Sequence, residues 1–398
     1  MLDFQQYSFK KQRVLVRVDF NVPLDENLHI TDDTRIMGAV PTIQKILKDG
    51  GSVVLMSHLG RPKDGPNPKY SLFSLISRLK ELFGTDHVTF VDDCISEEAF
   101  LLSSQLTPGN ILLLENLRFY KEEEKGDTSF AEKLSKHGDV YINDAFGTAH
   151  RAHASTAVIA NFYAPSKKGF GTLMNAEIEN AEFVLHKAIK PVTAIVGGAK
   201  VSDKIVLLER MVDIMDNILI GGGMAYTFIA ARGGQIGNSL CEKDYMPLAL
   251  TILENAKKKG CNILLPEDSV VADQFSADAE NKIVSSHQIP EGWMGLDIGP
   301  NAIQQYASVV KDSKTILWNG PMGVFEFSSF SKGTFSIAKT VAETTSTGAF
   351  SLIGGGDSVS AIQQSGLSQK VSYISTGGGA MLEFLEGKEL PGIKAIRQ

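Results

Sequence analysis

The chain has 398 residues, of which 43% are hydrophobic and 21% charged, and its formal net charge is -7. This length favours two domains, since domains usually hold about 100–200 residues each. The composition excludes a disordered or fibrous chain, and the negative charge argues against a nucleic-acid-binding protein, whose affinity would come from Lys and Arg.

The cysteines and the N-terminal segment bear on the compartment. Cys94, Cys241 and Cys261 are widely spaced and form neither a CxxC motif nor a Cys/His pattern typical of metal sites. The first residues, MLDFQQYSFKKQRV, contain no apolar run typical of a signal peptide, and no stretch of about 18 apolar residues follows. We therefore expect a cytoplasmic protein that is neither exported nor embedded in a membrane.

Short β-rich runs alternate with longer stretches of helical period along the chain. In the first half these runs predict strands at 13–18, 52–57, 88–91, 111–114 and 139–142. In the second half they predict strands at 192–196, 217–220, 262–265, 315–318, 350–353 and 371–375. Strands that alternate with helices predict an α/β fold in which helices cover both faces of parallel sheets.

A helix is predicted between the two halves. Residues 175–190 have apolar side chains at helical spacing, and Pro191 cannot continue the helix. The domains expected are therefore 1–170 and 171–379, with the connecting helix near 175–190. The final segment, 380–398, is too short to form a domain, and we expect it to pack on earlier structure.

Ligands of open parallel sheets bind beyond the carboxyl ends of the strands. In the first half the residues that follow the strands include Asp19, Asn21, His58, Arg61, Arg118 and the segment 143–151. Guanidinium groups bind phosphate and carboxylate bidentately, so this half predicts a pocket for a small polyanion. We interpret Arg13 and Arg78 as solvated surface charges, and Arg17, inside a strand, is compatible with a structural role.

Glycine dominates the corresponding positions of the second half, at 197–200, 221–225, 319–323, 354–358 and 376–379. A single glycine-rich turn is more often simple loop geometry, but five on one half predict backbone amides that approach phosphates. Lys200 lies before a helix that Ser202 or Asp203 is expected to cap, and Lys204 lies about one turn further. Asp357 begins another helix, where a single carboxylate can hold Mg²⁺ with phosphate oxygens.

Several common signatures are missing. The chain has neither the GxxxxGK[ST] phosphate loop nor a GxGxxG dinucleotide fingerprint with its acidic residue. His58, His150 and His153 occur without an HExxH pattern, which favours hydrogen-bonding or structural roles.

Eleven motifs in order resemble the phosphoglycerate kinase family over essentially the whole chain. They are RVDFNVP (17–23), TRI (34–36), SHLGRP (57–62), ENLRF (115–119), NDAFGTAHRAH (143–153), GGAKVSDKI (197–205), GGGMAYTF (221–228), WMGLDIGP (293–300), WNGPMGVFE (318–326), GGGDS (354–358) and STGGGAMLEFLEGKELPG (375–392). The resemblance implies two Rossmann-like domains separated by a cleft and a hinge near 165–190. It implies ATP-dependent interconversion of 3-phosphoglycerate and 1,3-bisphosphoglycerate by a monomer, in line and on domain closure, without a covalent enzyme intermediate.

The resemblance also assigns residues. It implies that the first domain binds phosphoglycerate through Asp19, Phe20, Asn21, Arg35, His58, Leu59, Gly60, Arg61, Arg118 and Arg151. It implies that the second domain binds the nucleotide through Gly197, Gly198, Ala199, Lys200, Lys204, Gly295, Asn319, Pro321, Gly323, Val324, Glu326, Gly355, Gly356, Asp357 and Ser358. Asp357 would hold Mg²⁺, and the catalytic set would be Arg35, Lys200, Lys204, Gly355 and Gly356. The segment 380–398 would return to the first domain.

Two other function classes share features with this sequence. A nicotinamide-dependent dehydrogenase also uses parallel sheets with glycine turns, although its fingerprint is missing. A two-lobed binding protein would share a hinge and a cleft, but it would need neither Asp357 with Mg²⁺ nor two lysines beside a phosphate site.

Overall fold

A computed structural model describes residues 1–63 and 65–398 and divides the chain into two compact units. The first unit comprises Met1–Glu179 and Lys388–Gln398, and the second comprises Asn180–Gly387. No helix among the described residues has the length and apolar character that a membrane span requires.

The first unit is built on a six-stranded parallel sheet with the order β3-β4-β2-β1-β5-β6. Its strands are β1 (Arg13–Val18), β2 (Ser52–Met56), β3 (Val88–Val91), β4 (Ile111–Leu114), β5 (Val140–Asp144) and β6 (Lys168–Phe170). The central strands are buried almost throughout, which is typical of a parallel sheet covered by helices. Its helices are α1 (Thr34–Lys48), α2 (Ile76–Phe83), α3 (Glu97–Ser104), α4 (Lys121–Lys125), α5 (Thr128–Ser135) and, at the chain end, α14 (Pro391–Arg397). Helix α6 (Thr172–Glu182) begins in the first unit and ends in the second.

The second unit contains another six-stranded parallel sheet, ordered β10-β8-β7-β15-β16-β17. Its strands are β7 (Val192–Val196), β8 (Asn217–Ile220), β10 (Asn262–Leu264), β15 (Thr315–Asn319), β16 (Phe350–Ile353) and β17 (Tyr373–Ile374). Its helices are α7 (Ile205–Val212), α8 (Met224–Ala231), α9 (Met246–Lys259), α10 (Pro300–Asp312), α11 (Lys332–Ser346), α12 (Gly356–Gln364) and α13 (Gly379–Leu385). The prediction of an α/β fold based on parallel sheets is confirmed.

The second unit also has strands that the sequence pattern did not predict. Three of them form an antiparallel sheet: β11 (Asp268–Ala272), β12 (Asn281–Ser285) and β14 (Met294–Ile298). Two further short strands pair with each other: β9 (Gln235–Ile236) and β13 (Gln288–Ile289). The predicted parallel sheets are present, and these additional strands were not predicted. The short strand β6 of the first unit was also missed.

The connecting helix differs from its predicted bounds of 175–190. Helix α6 begins at Thr172, and its regular α-helical part ends at Glu182. One π-helical turn follows over Phe183–Lys187. The amide of Ile189 donates instead to the Thr315 hydroxyl, 2.9 Å away, so the chain has left the helix before Pro191.

Candidate functional sites

The first candidate site lies at the carboxyl ends of four neighbouring strands, β4, β2, β1 and β5. Asp19 and Asn21 follow β1, His58 follows β2, and Arg118 lies in the turn after β4. Strand β1 lies between β2 and β5. The connections that leave the first strands therefore run to opposite sides of β1. In open α/β sheets, ligands bind at the carboxyl ends of the strands where the connections diverge in this way.

Arg35 reaches this edge from the first turn of α1. Its Nη1 donates to Asp19 Oδ2 at 3.1 Å and to the Asn21 carbonyl at 3.1 Å. The Nε and Nη2 groups of Arg35 make no hydrogen bond within 1–63 and 65–398, and the side chain is 37% exposed. One nitrogen therefore fixes the guanidinium, and the others are left to face a ligand.

The loop after β2 is held by amide side chains. The Asn116 carboxamide accepts from the amides of Leu59 (3.2 Å) and Arg118 (3.0 Å), and donates to the carbonyls of Leu59 (2.7 Å) and Tyr70 (2.8 Å). The Asn21 side chain accepts from the Gly60 amide at 2.8 Å. Asn116 was not predicted as a site residue, although it lies inside the ENLRF motif.

Arg118 is buried, and its Nη1 donates to the Gly60 carbonyl at 2.7 Å. Burial lowers the pKa of its guanidinium, and the carboxylate of Glu124 acts in the opposite direction. Arg151 lies close enough to lower the pKa of Arg118 further, and its Nε donates to His150 Nε2 at 3.2 Å. This part of the site is therefore positively charged and partly dehydrated.

The remaining predicted residues of the first unit differ in what they can offer. Arg61 is exposed and makes no hydrogen bond or ion pair in the part of the chain that the structure describes. The side chains of Phe20 and Leu59 are buried in the hydrophobic core, so only their backbone can face a ligand. The amide of Phe20 is itself used, since it donates to the Ser57 hydroxyl at 2.8 Å.

Arg17 and Arg13 are both held by the protein. Arg17 is 1% exposed, donates to the Ser155 hydroxyl at 2.9 Å and lies 3.3 Å from His58 Nδ1. Arg17 is therefore a buried residue, as a structural role requires, and it contacts the site residue His58. Arg13 is partly exposed, pairs with Asp139 at 3.5 Å and donates to two backbone carbonyls, so this surface charge is also bound to the protein. Arg78 is partly exposed and pairs with Asp33 and Glu81.

The second candidate site is made by loops that follow β7, β15 and β16. The backbones of the first two loops are in close contact, since a Cβ atom on Gly197 would lie 1.9 Å from the Pro321 carbonyl. A Cβ atom on Gly320 would likewise lie 2.1 Å from the Gly197 carbonyl. Glycine is therefore required at both positions for the loops to approach each other.

Lys204 and Asn319 form the polar floor of the second site. The ammonium group of Lys204 donates to the Asn319 carboxamide oxygen. Burial lowers the pKa of Lys204, and the nearby carboxylate of Asp357 opposes that shift. Asn319 is buried, and its Nδ2 has no hydrogen-bond partner among residues 1–63 and 65–398. A Cβ atom on Gly355 would lie 3.2 Å from this Nδ2, so the third loop passes directly beside it.

Helix α12 begins at this point. Gly355 has φ of 88° and precedes the first helical residue, Gly356. The buried Ser358 accepts from the Gly320 amide at 2.5 Å, which ties this helix to the loop after β15. Asp357 is exposed in the first turn and makes no hydrogen bond within the described residues. The N-terminus of α12 therefore presents amide groups and one carboxylate at the same place.

The expected cap of α7 is wrong. The helix begins at Ile205 with Lys204 as its N-cap residue, and no side chain caps it. The Ser202 hydroxyl donates to Glu242 at 2.7 Å instead, so it is not available to the helix. Lys200 is exposed in the loop before this turn and makes no hydrogen bond to the residues described.

A further group of predicted residues surrounds the antiparallel sheet. The Gly295 amide donates to the Ser239 hydroxyl at 2.9 Å, and a Cβ atom there would lie 1.9 Å from the Tyr226 hydroxyl oxygen. A Cβ atom on Gly323 would meet Asp297, and the Val324 amide donates to the Leu296 carbonyl at 2.8 Å. Glu326 follows on the exposed surface. Burial raises the pKa of Asp297 to about 7.

The fit of a divalent cation depends on Asp357. No group of three or more His, Cys, Asp or Glu side chains suited to a metal occurs among residues 1–63 and 65–398. A single carboxylate without an internal hydrogen bond, beside backbone amides, nevertheless fits a cation whose other ligands are phosphate oxygens and water. The second site therefore fits a metal that arrives with a phosphorylated ligand.

The chain matches known proteins over nearly its whole length. The sequence model of phosphoglycerate kinase matches residues 4–388. The cytosolic phosphoglycerate kinase of Nicotiana tabacum is 53% identical over 392 residues, covering 98% of this chain and 97% of that protein. The chloroplastic phosphoglycerate kinase of Volvox carteri is 52% identical over 395 residues, covering 99% of this chain and 85% of that protein.

A solved structure gives the same result. The phosphoglycerate kinase of Coxiella burnetii matches with a TM-score of 0.90 at 39% identity, over 99% of this chain and 98% of that one. The alternatives of a nicotinamide-dependent dehydrogenase and a two-lobed binding protein are thereby set aside. The chain belongs to the phosphoglycerate kinase family.

Proposed function

We propose that this chain carries out the reaction of its family, the reversible transfer of a phosphoryl group between ATP and 3-phosphoglycerate. The products are ADP and 1,3-bisphosphoglycerate, and the reaction belongs to glycolysis. The observation that carries the proposal is that the two units offer different chemical groups. The first gathers guanidinium groups around Asp19 and His58, and the second gathers glycine loops, Lys204 and the start of α12.

The first site would bind 3-phosphoglycerate. Arg61, Arg118 and Arg151 offer guanidinium groups to its phosphate, since such groups form paired hydrogen bonds with phosphate oxygens. Asp19, Asn21 and His58 are uncharged or acidic hydrogen-bonding groups suited to the hydroxyl and carboxylate end. Arg35, held by Asp19 through a single nitrogen, would face the reacting carboxylate.

The second site would bind ATP or ADP. The loops 197–200 and 354–358 offer backbone amides to the phosphates, with Lys200 and Lys204 supplying positive charge. Residues around the antiparallel sheet would bind the nucleoside, with Gly295, Gly323 and Val324 lining the base and ribose. Glu326, which is exposed, would accept from the ribose hydroxyls.

Asp357 would hold Mg²⁺ together with phosphate oxygens of the nucleotide. When bound, the metal would neutralise charge on the transferring group and the leaving phosphate. Asp357 lies near Lys204, so both groups would face the same phosphates. The ammonium group attracts the phosphates directly, whereas the carboxylate attracts them only through a bound cation. That pairing supports a site for a metal nucleotide over one for free phosphate.

The chemistry needs placement and charge neutralisation more than proton transfer. In the ATP-consuming direction the acceptor is a carboxylate, which is ionised at neutral pH, so no general base is required. Arg35, Lys200, Lys204 and the amides of Gly355 and Gly356 would stabilise the negative charge of the in-line transition state. Because these groups belong to different units, the proposal requires that the units close during turnover.

A coupled assay with purified protein, Mg²⁺, ATP and 3-phosphoglycerate tests the function. We expect ADP formation that depends on all three additions and stops when EDTA removes the metal. Glycerate, which lacks the phosphate, serves as the control acceptor and should support at most a small fraction of the rate. Absence of turnover with 3-phosphoglycerate would contradict the proposal, and equal turnover with glycerate would contradict the role of the arginines.

We also infer that the protein acts in the cytoplasm as a monomer. Its cysteines are unpaired, and Cys94 and Cys261 are buried, which suits a reducing compartment. The family includes cytosolic and chloroplastic members, so compartment requires its own measurement. Light scattering after gel filtration tests the monomer, and fractionation of the source cells tests the location.

A further inference from the structure

A chain of buried, hydrogen-bonded side chains leads from the protein interior to the first site. It begins at Glu123 on α4, passes through Ser155 and Arg17, and ends at His58. The Ser155 amide and hydroxyl lie 3.0 Å and 2.5 Å from the two Glu123 oxygens. Arg17 Nε donates to the same hydroxyl at 2.9 Å. All four side chains are buried.

The direction of each hydrogen bond in this chain is fixed by chemistry. A guanidinium group can only donate, so the Ser155 hydroxyl oxygen accepts from Arg17 and directs its single proton to Glu123. Burial raises the pKa of Glu123, while the Arg17 charge and the Ser155 hydrogen bonds lower it. Glu123 thus serves as the counter-charge that a buried guanidinium requires.

The same rule fixes the state of His58. Arg17 Nη2 lies 3.3 Å from His58 Nδ1, and because Arg17 can only donate, this ring nitrogen must accept and carry no proton. The imidazole proton is then on Nε2. His58 Nδ1 is 3.9 Å from Asp19 Oδ1, which is too long for a hydrogen bond. Asp19 instead accepts from Arg35, whose Nη1 lies 3.1 Å from Oδ2, and from the Asn21 amide, 3.2 Å from Oδ1.

We propose that Glu123 and Ser155 are positioning residues that hold Arg17 against His58 and so keep the imidazole neutral with its proton on Nε2. In this state His58 donates to phosphoglycerate from Nε2, and Asp19 stays with Arg35. The substrate part of this inference rests on the proposed function. The hydrogen-bond chain itself does not, because it is a property of the first unit alone.

The alternative state of His58 would disturb the site. A proton on Nδ1 would turn the ring into a donor to Asp19 and compete with Arg35 for that carboxylate. Burial and the charges of the four facing arginines lower the pKa of His58 well below its usual value, which disfavours a second proton on the ring. The facing groups are Asp19, which is acidic, and Arg17, Arg118, Arg35 and Arg151, which are basic.

The first measurement is the tautomer of His58 in the intact wild-type protein without ligand. Long-range ¹⁵N–¹H NMR of histidine-labelled protein separates protonated from unprotonated ring nitrogens, and His58→Gln assigns the signal. Between pH 6 and pH 8 we expect a neutral ring with the proton on Nε2. A proton on Nδ1 in the wild-type protein would overturn the proposal whether or not any variant folds.

The second measurement uses Ser155→Ala, which removes the hydroxyl group that links Glu123 to Arg17 in the hydrogen-bond network. We expect His58 to gain a proton on Nδ1 in a measurable fraction of molecules at pH 6. We expect KM for 3-phosphoglycerate to rise about tenfold, as for the loss of one hydrogen bond to a charged group, while KM for ATP stays within about twofold. Glu123→Gln, which keeps the side-chain shape, carries the same expectation and decides the question if Ser155→Ala does not fold.

The matched control is Ser103→Ala. Ser103 is also buried, and its hydroxyl is 2.9 Å from Nδ1 of a different histidine, His137. This variant should change the His137 signal and leave His58 and both KM values as in wild type. If Ser155→Ala or its replacement leaves the His58 protonation and the KM ratio unchanged, the positioning role is wrong. The protein could lack kinase activity while His58 shows the expected tautomer in wild type and loses it in Ser155→Ala. That result would support the hydrogen-bond network and contradict the proposed function.

Discussion

The close contact between the loops after β7 and β15 gives a prediction whose size follows from the structure. In Gly197→Ala the new Cβ would lie 1.9 Å from the Pro321 carbonyl oxygen and 2.9 Å from that of Gly320. Cβ contacts shorter than 3.0 Å are essentially not observed, so the Pro321 carbonyl must move by about 1 Å. The three atoms nearest to the new Cβ all belong to the backbone, and they cannot rotate away as a side chain does. We expect a loss of about 3 kcal/mol in unfolding free energy.

Tryptophan fluorescence can measure this loss in the right part of the protein. Both tryptophans, Trp293 and Trp318, belong to the second unit. Trp318 is buried in β15, and its Nε1 donates to the Gly320 carbonyl at 2.8 Å, beside the substitution. With a slope of about 2 kcal/mol per M, the urea midpoint should fall by about 1–2 M. Displaced amides should also raise the Kd for ADP with Mg²⁺ by about tenfold.

Gly379→Ala is the matched control. A Cβ atom at Gly379 would meet no atom within 4 Å, and this residue is the first of α13. Alanine should leave the stability unchanged or raise it by up to about 1 kcal/mol, because it restricts the unfolded chain. A Gly197→Ala protein with the wild-type midpoint and the wild-type ADP affinity would show that the two loops do not touch as described.

Four other substitutions give three separate expectations. Arg35→Ala and Lys200→Ala should each lower kcat by about two orders of magnitude or more with much smaller changes in KM, because these groups act on charge that develops in the transition state; near-normal kcat in steady-state assays would contradict those roles. Asn116→Ala removes four hydrogen bonds at the loop after β2, so KM for 3-phosphoglycerate should rise about tenfold with KM for ATP unchanged, and a uniform rise in both would point to general damage. Burial raises the pKa of Asp144 from 3.8 to about 7, so the stability linked to its protonated form is present below about pH 4 and is lost as pH rises through 7. Asp144→Asn should therefore gain up to about 4 kcal/mol relative to wild type between pH 4 and pH 8 in urea unfolding followed by circular dichroism, and a pH-independent difference would refute the shift.

The parallel sheets could be predicted because their strands are buried on both faces. The run 111–114 is entirely apolar and 13–18 is apolar except for its two arginines, and the structure places strands at those same residues. The antiparallel sheet has no such signal. Strand β12 is largely exposed and contains polar residues, so its pairing with β11 and not its own sequence makes it a strand.

The candidate site shows the same limit at the level of single residues. Reading the positions after each strand finds Asp19, His58 and Arg118, because the topology alone brings those positions to one edge. It cannot find Glu123, which follows Glu122 and precedes Glu124 in the sequence. Only the middle one of these three is buried, and its partner Ser155 is 32 residues away. Packing selects one acidic residue where the sequence offers three equivalent candidates.

The two units meet the same problem, binding an anion, in physically different ways. The first buries charged side chains, and each buried guanidinium must then be matched, as Arg17 is by Glu123. The second uses backbone amides, which need no counter-charge but need glycine where loops touch, as at Gly197. Substitutions in the first unit should therefore act through charge and protonation, and respond to pH and salt. Glycine substitutions where the loops of the second unit touch should act through sterics and remain nearly independent of both, whereas substitutions of Lys200 or Lys204 act on charge.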